Sequence, residues 1–237
     1  MESLGGQLQN AVRILRSPAS WVWVIAVIAI QIRVSIKGGP EFARDWFVTF
    51  GLERAEFLSG EIWRIFTYGL LHGGVWHAGL NALFVLAIGS RIEHIAGWRV
   101  VHVLMLAGVT SGGLVHLLLG SGLLVGLSGG GMALLLFLVT ISPESRFFPL
   151  SVSGKNLGLG VLAAALIVAL IHPALHLPGL SWVGKKLVDS GMSGIFQLGH
   201  ACHLGGGLAG WMIGRWVLRP RVTLENLRRD RARREAE

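Results

Sequence analysis

A single cysteine, Cys202, stands in the 237-residue chain, which excludes an intramolecular disulfide. Charge is also scarce. Asp, Glu, Lys and Arg make up 14% of the residues, against roughly 25% in soluble globular domains. The shortage is patterned: six apolar runs hold no Asp or Glu, and the charges gather between them. With 52% hydrophobic residues, that pattern excludes a soluble domain on a single anchor and implies several membrane spans. Internal repeats and low-complexity segments are absent too, so the chain reads as one domain.

The runs lie at about Pro18–Ile36, Val75–Ile92, Val100–Leu119, Ser128–Ile141, Leu157–Leu175 and Gly194–Leu218. The fold class predicted is all-α, a polytopic six-helix membrane bundle over 18–218. A cytoplasmic segment, 1–17, precedes it and a basic cytoplasmic tail, 219–237, follows. Arg13 and Arg16 precede the first run and no small-residue cleavage site follows it, so the first helix is expected to be retained. One set of flanks holds Arg13, Arg16, Arg91, Arg99, Arg146, Lys155 and the Arg-rich tail. The other set, Lys37 to Arg64 and Lys185 to Asp189, is nearly balanced by acids. The bias puts both termini in the cytoplasm. The net charge of +8 gathers largely from Arg215 to Arg234, directly after an apolar span. That run is read as facing anionic lipid, with no nucleic-acid partner expected.

The fourth run is short. Ser128 to Ile141 is 14 residues, about 21 Å of helix, against about 30 Å of hydrocarbon. Pro143 and Glu144 pin its cytoplasmic end, and the connection before it, residues 121–127, has no charge. Irregular backbone at that depth needs protein or a water cavity around it. The connection is therefore expected to dip into the bundle and deliver Ser128 to a buried, hydrated place.

Gly126-Leu127-Ser128-Gly129 puts a hydroxyl at a helix start, where free N–H groups and the helix dipole favour an anion. A serine there is also a preferred N-cap, and the tetrapeptide alone favours the cap. In the sixth run His203, Gly206, Gly210 and Gly214 share one helix face. Small residues on that face allow close helix approach, and Gly129, Gly130 and Gly131 offer a matching surface. Such contact would bring His203 to Ser128 as a general base. His77 and Asn81, four apart, could donate hydrogen bonds to an oxyanion, or could merely tie helices together. His200-x-x-His203 could offer two metal ligands, but no carboxylate or standard zinc spacing completes such a site, and no metal or cofactor is expected. No Asp or Glu lies within helical reach of His77 or His203, so a Ser-His pair is simpler than a triad.

Together these pieces resemble the rhomboid family of intramembrane serine proteases. The matching residues are Trp63-Arg64, His72, His77-x-x-x-Asn81, Gly89-x-x-x-Glu93, Gly126-Leu-Ser128-Gly129 and His203-x-x-Gly206-x-x-x-Gly210, in family order. The resemblance implies Ser128 as nucleophile and His203 as general base. His77, Asn81 and the Ser128 N–H would form the oxyanion hole. It also implies single-span membrane proteins as substrates, a first loop from Lys37 to Arg64 partly embedded in the outer leaflet, and a substrate gate made by the fifth helix and the loop before the sixth. The expected site is a bacterial plasma membrane, with the active site open to the non-cytoplasmic side; oligomeric state is unassigned. The chain departs from the family in two places, Met132 and Ala82, and a third residue stands at a variable position. Met132 stands where many members carry an aromatic beneath the histidine, Ala82 where a methionine often follows the asparagine, and His200 where members vary.

Overall fold

The computed structural model describes residues 12–36, 39–147, 151–219 and 224–236. Residues 1–11 of the N-terminal segment, Lys37 of the first loop and 220–223 of the tail, including Arg221, lie outside the described residues.

Helices dominate. The chain runs through α1 (Pro18–Ile36), α2 (Gly39–Phe50), α3 (Arg54–Leu58), α4 (Arg64–Thr67), α5 (Val75–Ala96) and α6 (Trp98–Leu119). It continues through α7 (Ser128–Ile141), α8 (Gly154–Leu170), α9 (Leu180–Asp189), α10 (His200–Val217) and α11 (Leu224–Ala236). Two-residue strands, β1 (Arg146–Phe147) and β2 (Val152–Ser153), pair antiparallel between α7 and α8. The six apolar runs are α1, α5, α6, α7, α8 and α10. Three of these, α1, α5 and α6, are long and apolar enough to cross a membrane, while α7 and α8 are shorter apolar helices. The chain is an all-α membrane bundle.

Two boundaries differ from the periodicity. The fifth run becomes helical earlier, at Gly154, because Ser153 caps it by accepting from the Asn156 N–H. It ends at Leu170, three residues before Pro173, whose missing N–H cannot continue a helix. The sixth run becomes helical later, at His200, because Ser193–Gln197 winds into a tighter 3₁₀ turn. His200 and His203 therefore share the first turn of α10.

The centre of the bundle is α7. From Gly129 to Val139 every residue but Met132 is buried, as a helix apolar on all sides must be. Its partners approach backbone to backbone. A Cβ on Gly206 of α10 would land on the Gly129 carbonyl, and one on Gly210 on the Ala133 carbonyl. From the other side, a Cβ on Gly108 of α6 would lie 2.6 Å from the Gly129 oxygen. Ser111 of α6 adds a cross-helix bond, its Oγ donating to the Gly205 carbonyl at 3.0 Å.

A polar clasp joins α5 to α1. Glu93 accepts from the Ala19 N–H at 3.0 Å, and from the Ser20 N–H and hydroxyl, each at 3.1 Å. These are the free donors of the first turn of α1. Gly89 sits where a Cβ would come 2.8 Å from Ser20 Oγ. The spacing Gly89-x-x-x-Glu93 is thus a helix-capping device.

Candidate active site

Ser128 is the first residue of α7. The N-cap position is Leu127, and no side chain caps the helix. The serine hydroxyl instead meets His203, with Oγ and Nε2 2.9 Å apart across 75 residues of sequence. A neutral imidazole protonated on Nδ1 accepts the Ser128 proton at Nε2 in this arrangement. Of the two sequence readings of Ser128, cap or reactive hydroxyl, the local geometry departs from the cap.

The segment before Ser128 is held on three sides. Leu52 and Leu124 exchange two backbone hydrogen bonds, at 3.0 and 2.8 Å. The Gly126 N–H donates to the Tyr68 carbonyl at 3.0 Å, and the Leu127 N–H to His72 Nε2 at 3.3 Å. Leu52, Leu124 and Leu127 are buried. The half of the connection next to Ser128, from Leu124 to Leu127, is thus largely enclosed by protein, as irregular backbone in an apolar surround requires, while Ser121, Gly122 and Leu123 are exposed. Gly126 cannot readily be another residue. Its φ is +123°, and a Cβ would meet the His77 ring at 2.9 Å.

Arg64 braces this scaffold from the first loop. It is buried, donates from Nη1 to the Gly51 carbonyl at 2.8 Å, and pairs with Glu61 at 2.6 Å. A buried guanidinium with both a carbonyl and a carboxylate partner fixes the loop that carries Leu52. Tyr68 is fully buried and donates to the Val109 carbonyl of α6 at 2.7 Å.

A cavity of about 500 Å³ opens over Ser128 and His203, and His77, Asn81 and Met132 line it too. All four residues singled out in the sequence therefore face one space. His77 also packs edge-on against His72, with ring centroids 4.9 Å apart. Asn81 Nδ2 donates to the His77 carbonyl one turn back, at 3.0 Å, and its amide holds a second hydrogen. The residues that the sequence did not single out are supports: Leu52, Tyr68 and Glu61. Among the described residues, no group of three or more His, Cys, Asp or Glu is arranged to hold a metal ion.

The Rhomboid domain family model matches residues 59–220, which takes in α4 to α10. The chain belongs to the rhomboid family. It is 29% identical over 163 residues to rhomboid-related protein 3 of Homo sapiens, a stretch covering 68% of this chain and 38% of that protein. It is also 41% identical over 59 residues to inactive rhomboid-related protein 2 of Caenorhabditis elegans, covering 25% of this chain and 17% of that protein. The chain spans well under half the length of these two relatives. One of them is named inactive, so rhomboid membership alone does not carry an activity.

Proposed function

We propose that this rhomboid is an intramembrane serine endopeptidase that cleaves single-span membrane proteins in or beside their transmembrane segments. The observation that carries the reading is the 2.9 Å contact of Ser128 Oγ with His203 Nε2 on a cavity shared with His77 and Asn81. Ser128 Oγ attacks the scissile carbonyl carbon while its proton passes to His203 Nε2. The oxyanion that forms is met by His77, Asn81 and the Ser128 N–H. Collapse expels the amine, which takes the proton from His203, and water repeats the sequence to release the acid. Neither α7 nor α10 contains an acidic residue, so the chemistry is that of a dyad, with no cofactor.

The orientation follows the charge bias. Both termini lie in the cytoplasm, 219–237 forms a basic tail against anionic lipid, and the cavity opens to the non-cytoplasmic side. The membrane is a bacterial plasma membrane. The test is covalent labelling of the purified chain by a fluorophosphonate. Wild type labels; Ser128→Ala and His203→Ala do not. Labelling that survives Ser128→Ala overturns the nucleophile. A labelled enzyme that leaves single-span substrates intact in detergent overturns the substrate class.

A further inference from the structure

An imidazole is a useful base only if its ring is held in one plane. In this chain neither α7 nor α10 supplies a carboxylate, and the residue one turn after Ser128 is Met132, a thioether. Another ring lies against His203. His200, one turn earlier on the same face of α10, packs edge-to-face on it, with centroids 5.9 Å apart and planes at 81°. This is the preferred geometry for an aromatic pair.

His200 is itself anchored. Its Nε2 lies 2.9 Å from the Ile195 carbonyl. A carbonyl only accepts, so Nε2 carries the proton and donates. Ile195 belongs to the 3₁₀ turn before α10. The next residue, Phe196, packs edge-to-face on His172 at 5.2 Å. His172 Nδ1 accepts from the Ala174 N–H, which puts the ring proton on Nε2, 3.3 Å from Ser121 Oγ. Ser121 begins the connection that ends at Ser128. The contacts therefore close a circuit around the cavity mouth, from the serine's own loop through the end of α8 and the turn before α10 to His203.

We infer that His200 is a positioning residue for the dyad. Its ring sets the plane of His203, and its hydrogen bond to Ile195 makes that plane depend on the turn at 193–197. This rests on the reading of Ser128 and His203 as the reacting pair. His200 also lines the cavity, but in this scheme it acts through His203. It supports the base from within the helix that bears it.

The experiment uses the full chain, purified and reconstituted, as wild type, Ser128→Ala, His200→Ala, His200→Phe and His200→Gln. Fluorophosphonate labelling rate, kcat and KM on a single-span substrate, and thermal unfolding are measured for each. A misplaced base costs on the order of 10- to 100-fold. His200→Ala is expected to lower kcat and labelling rate together by about 10-fold at nearly unchanged KM and melting temperature. His200→Phe, which keeps the ring, should recover most of the rate, and His200→Gln, which keeps only a donor, should not. Wild-type labelling and kcat in His200→Ala overturn the proposal. So does a loss that tracks a lowered melting temperature and is not relieved by Phe. Labelling of Ser128→Ala at the wild-type rate is a separate failure, that of the dyad itself.

Discussion

On one side of the Ser128 cavity, α6, α7 and α10 meet through glycines, with backbone against backbone. On the other side, α8 and the segment from 171 to 199 bury few residues. Along α8 only Gly154, Gly158, Ala165 and Ala169 are buried, and from 171 to 199 only Gly184 is. The tight wall carries both ends of the Ser128–His203 hydrogen bond. The loose wall carries Val168, Ala169, His172 and Phe196, which complete the cavity. In the proposed reading, reaction geometry and substrate access thereby belong to different helices. A close-packed seam cannot deform without clashes, so the 2.9 Å contact is protected. A wall with few buried contacts lies at the low end of local stability; in the proposed reading it is the side that admits a substrate helix.

Four substitutions sharpen or break this contrast. The largest effect belongs to the reacting groups. Ser128→Ala should lower kcat by on the order of 10⁴-fold or more, with thermal unfolding unchanged, as read by substrate cleavage and a melting curve. Next is the seam. Gly206→Val places side-chain carbons on the Gly129 carbonyl, and overpacking of this kind costs about 3 kcal/mol. Loss of fluorophosphonate labelling should accompany the lowered melting temperature, because the same displacement separates His203 from Ser128. Glu93→Gln tests a distant joint. It removes the charge that accepts three hydrogen bonds at the start of α1, and should cost about 2 kcal/mol while leaving KM and the labelling rate of the folded protein alone. Smallest is Ile167→Ala on the outer face of α8, where the side chain is 57% exposed. Its effect should stay within about 0.5 kcal/mol. If Ile167→Ala destabilises the chain as much as Gly206→Val does, the two walls are not different and the contrast fails.

Much of the site was legible because its signals are local. Gly126 and Ser128 lie within three residues, His77 and Asn81 one turn apart, and His203 and Gly206 on one helix face. Helical periodicity alone puts each group together. The glycine faces also announced which helices would touch, since a strip of small residues has little packing use except close approach. The boundaries of α8 and α10 were less legible. Ser153 and the turn at 193–197 override apolar periodicity, and each does so through hydrogen bonds that composition does not reveal.

The supports were not legible at all. Leu52 is an unremarkable leucine in an amphipathic loop, and nothing near it signals two backbone bonds to Leu124, 72 residues on. Arg64 and Glu93 stood out as matches to the family pattern, but their roles, a loop brace and a helix cap, are visible only in their partners. His200 stood in the sequence only as a possible metal ligand and is a ring against His203 in space.

By itself the sequence determined that the chain is helical and membrane-embedded, because apolar run length and charge distribution are one-dimensional properties, and its motifs carried the resemblance to the rhomboid family. It also determined which hydroxyl and which imidazole were candidates. Only the tertiary structure decided that they meet, that Ser128 bonds to His203 and not to its own helix, and what holds the imidazole. Those outcomes depend on backbone approach and on contacts between residues far apart in the chain. Packing sets these distances, and no pattern along the sequence encodes them directly.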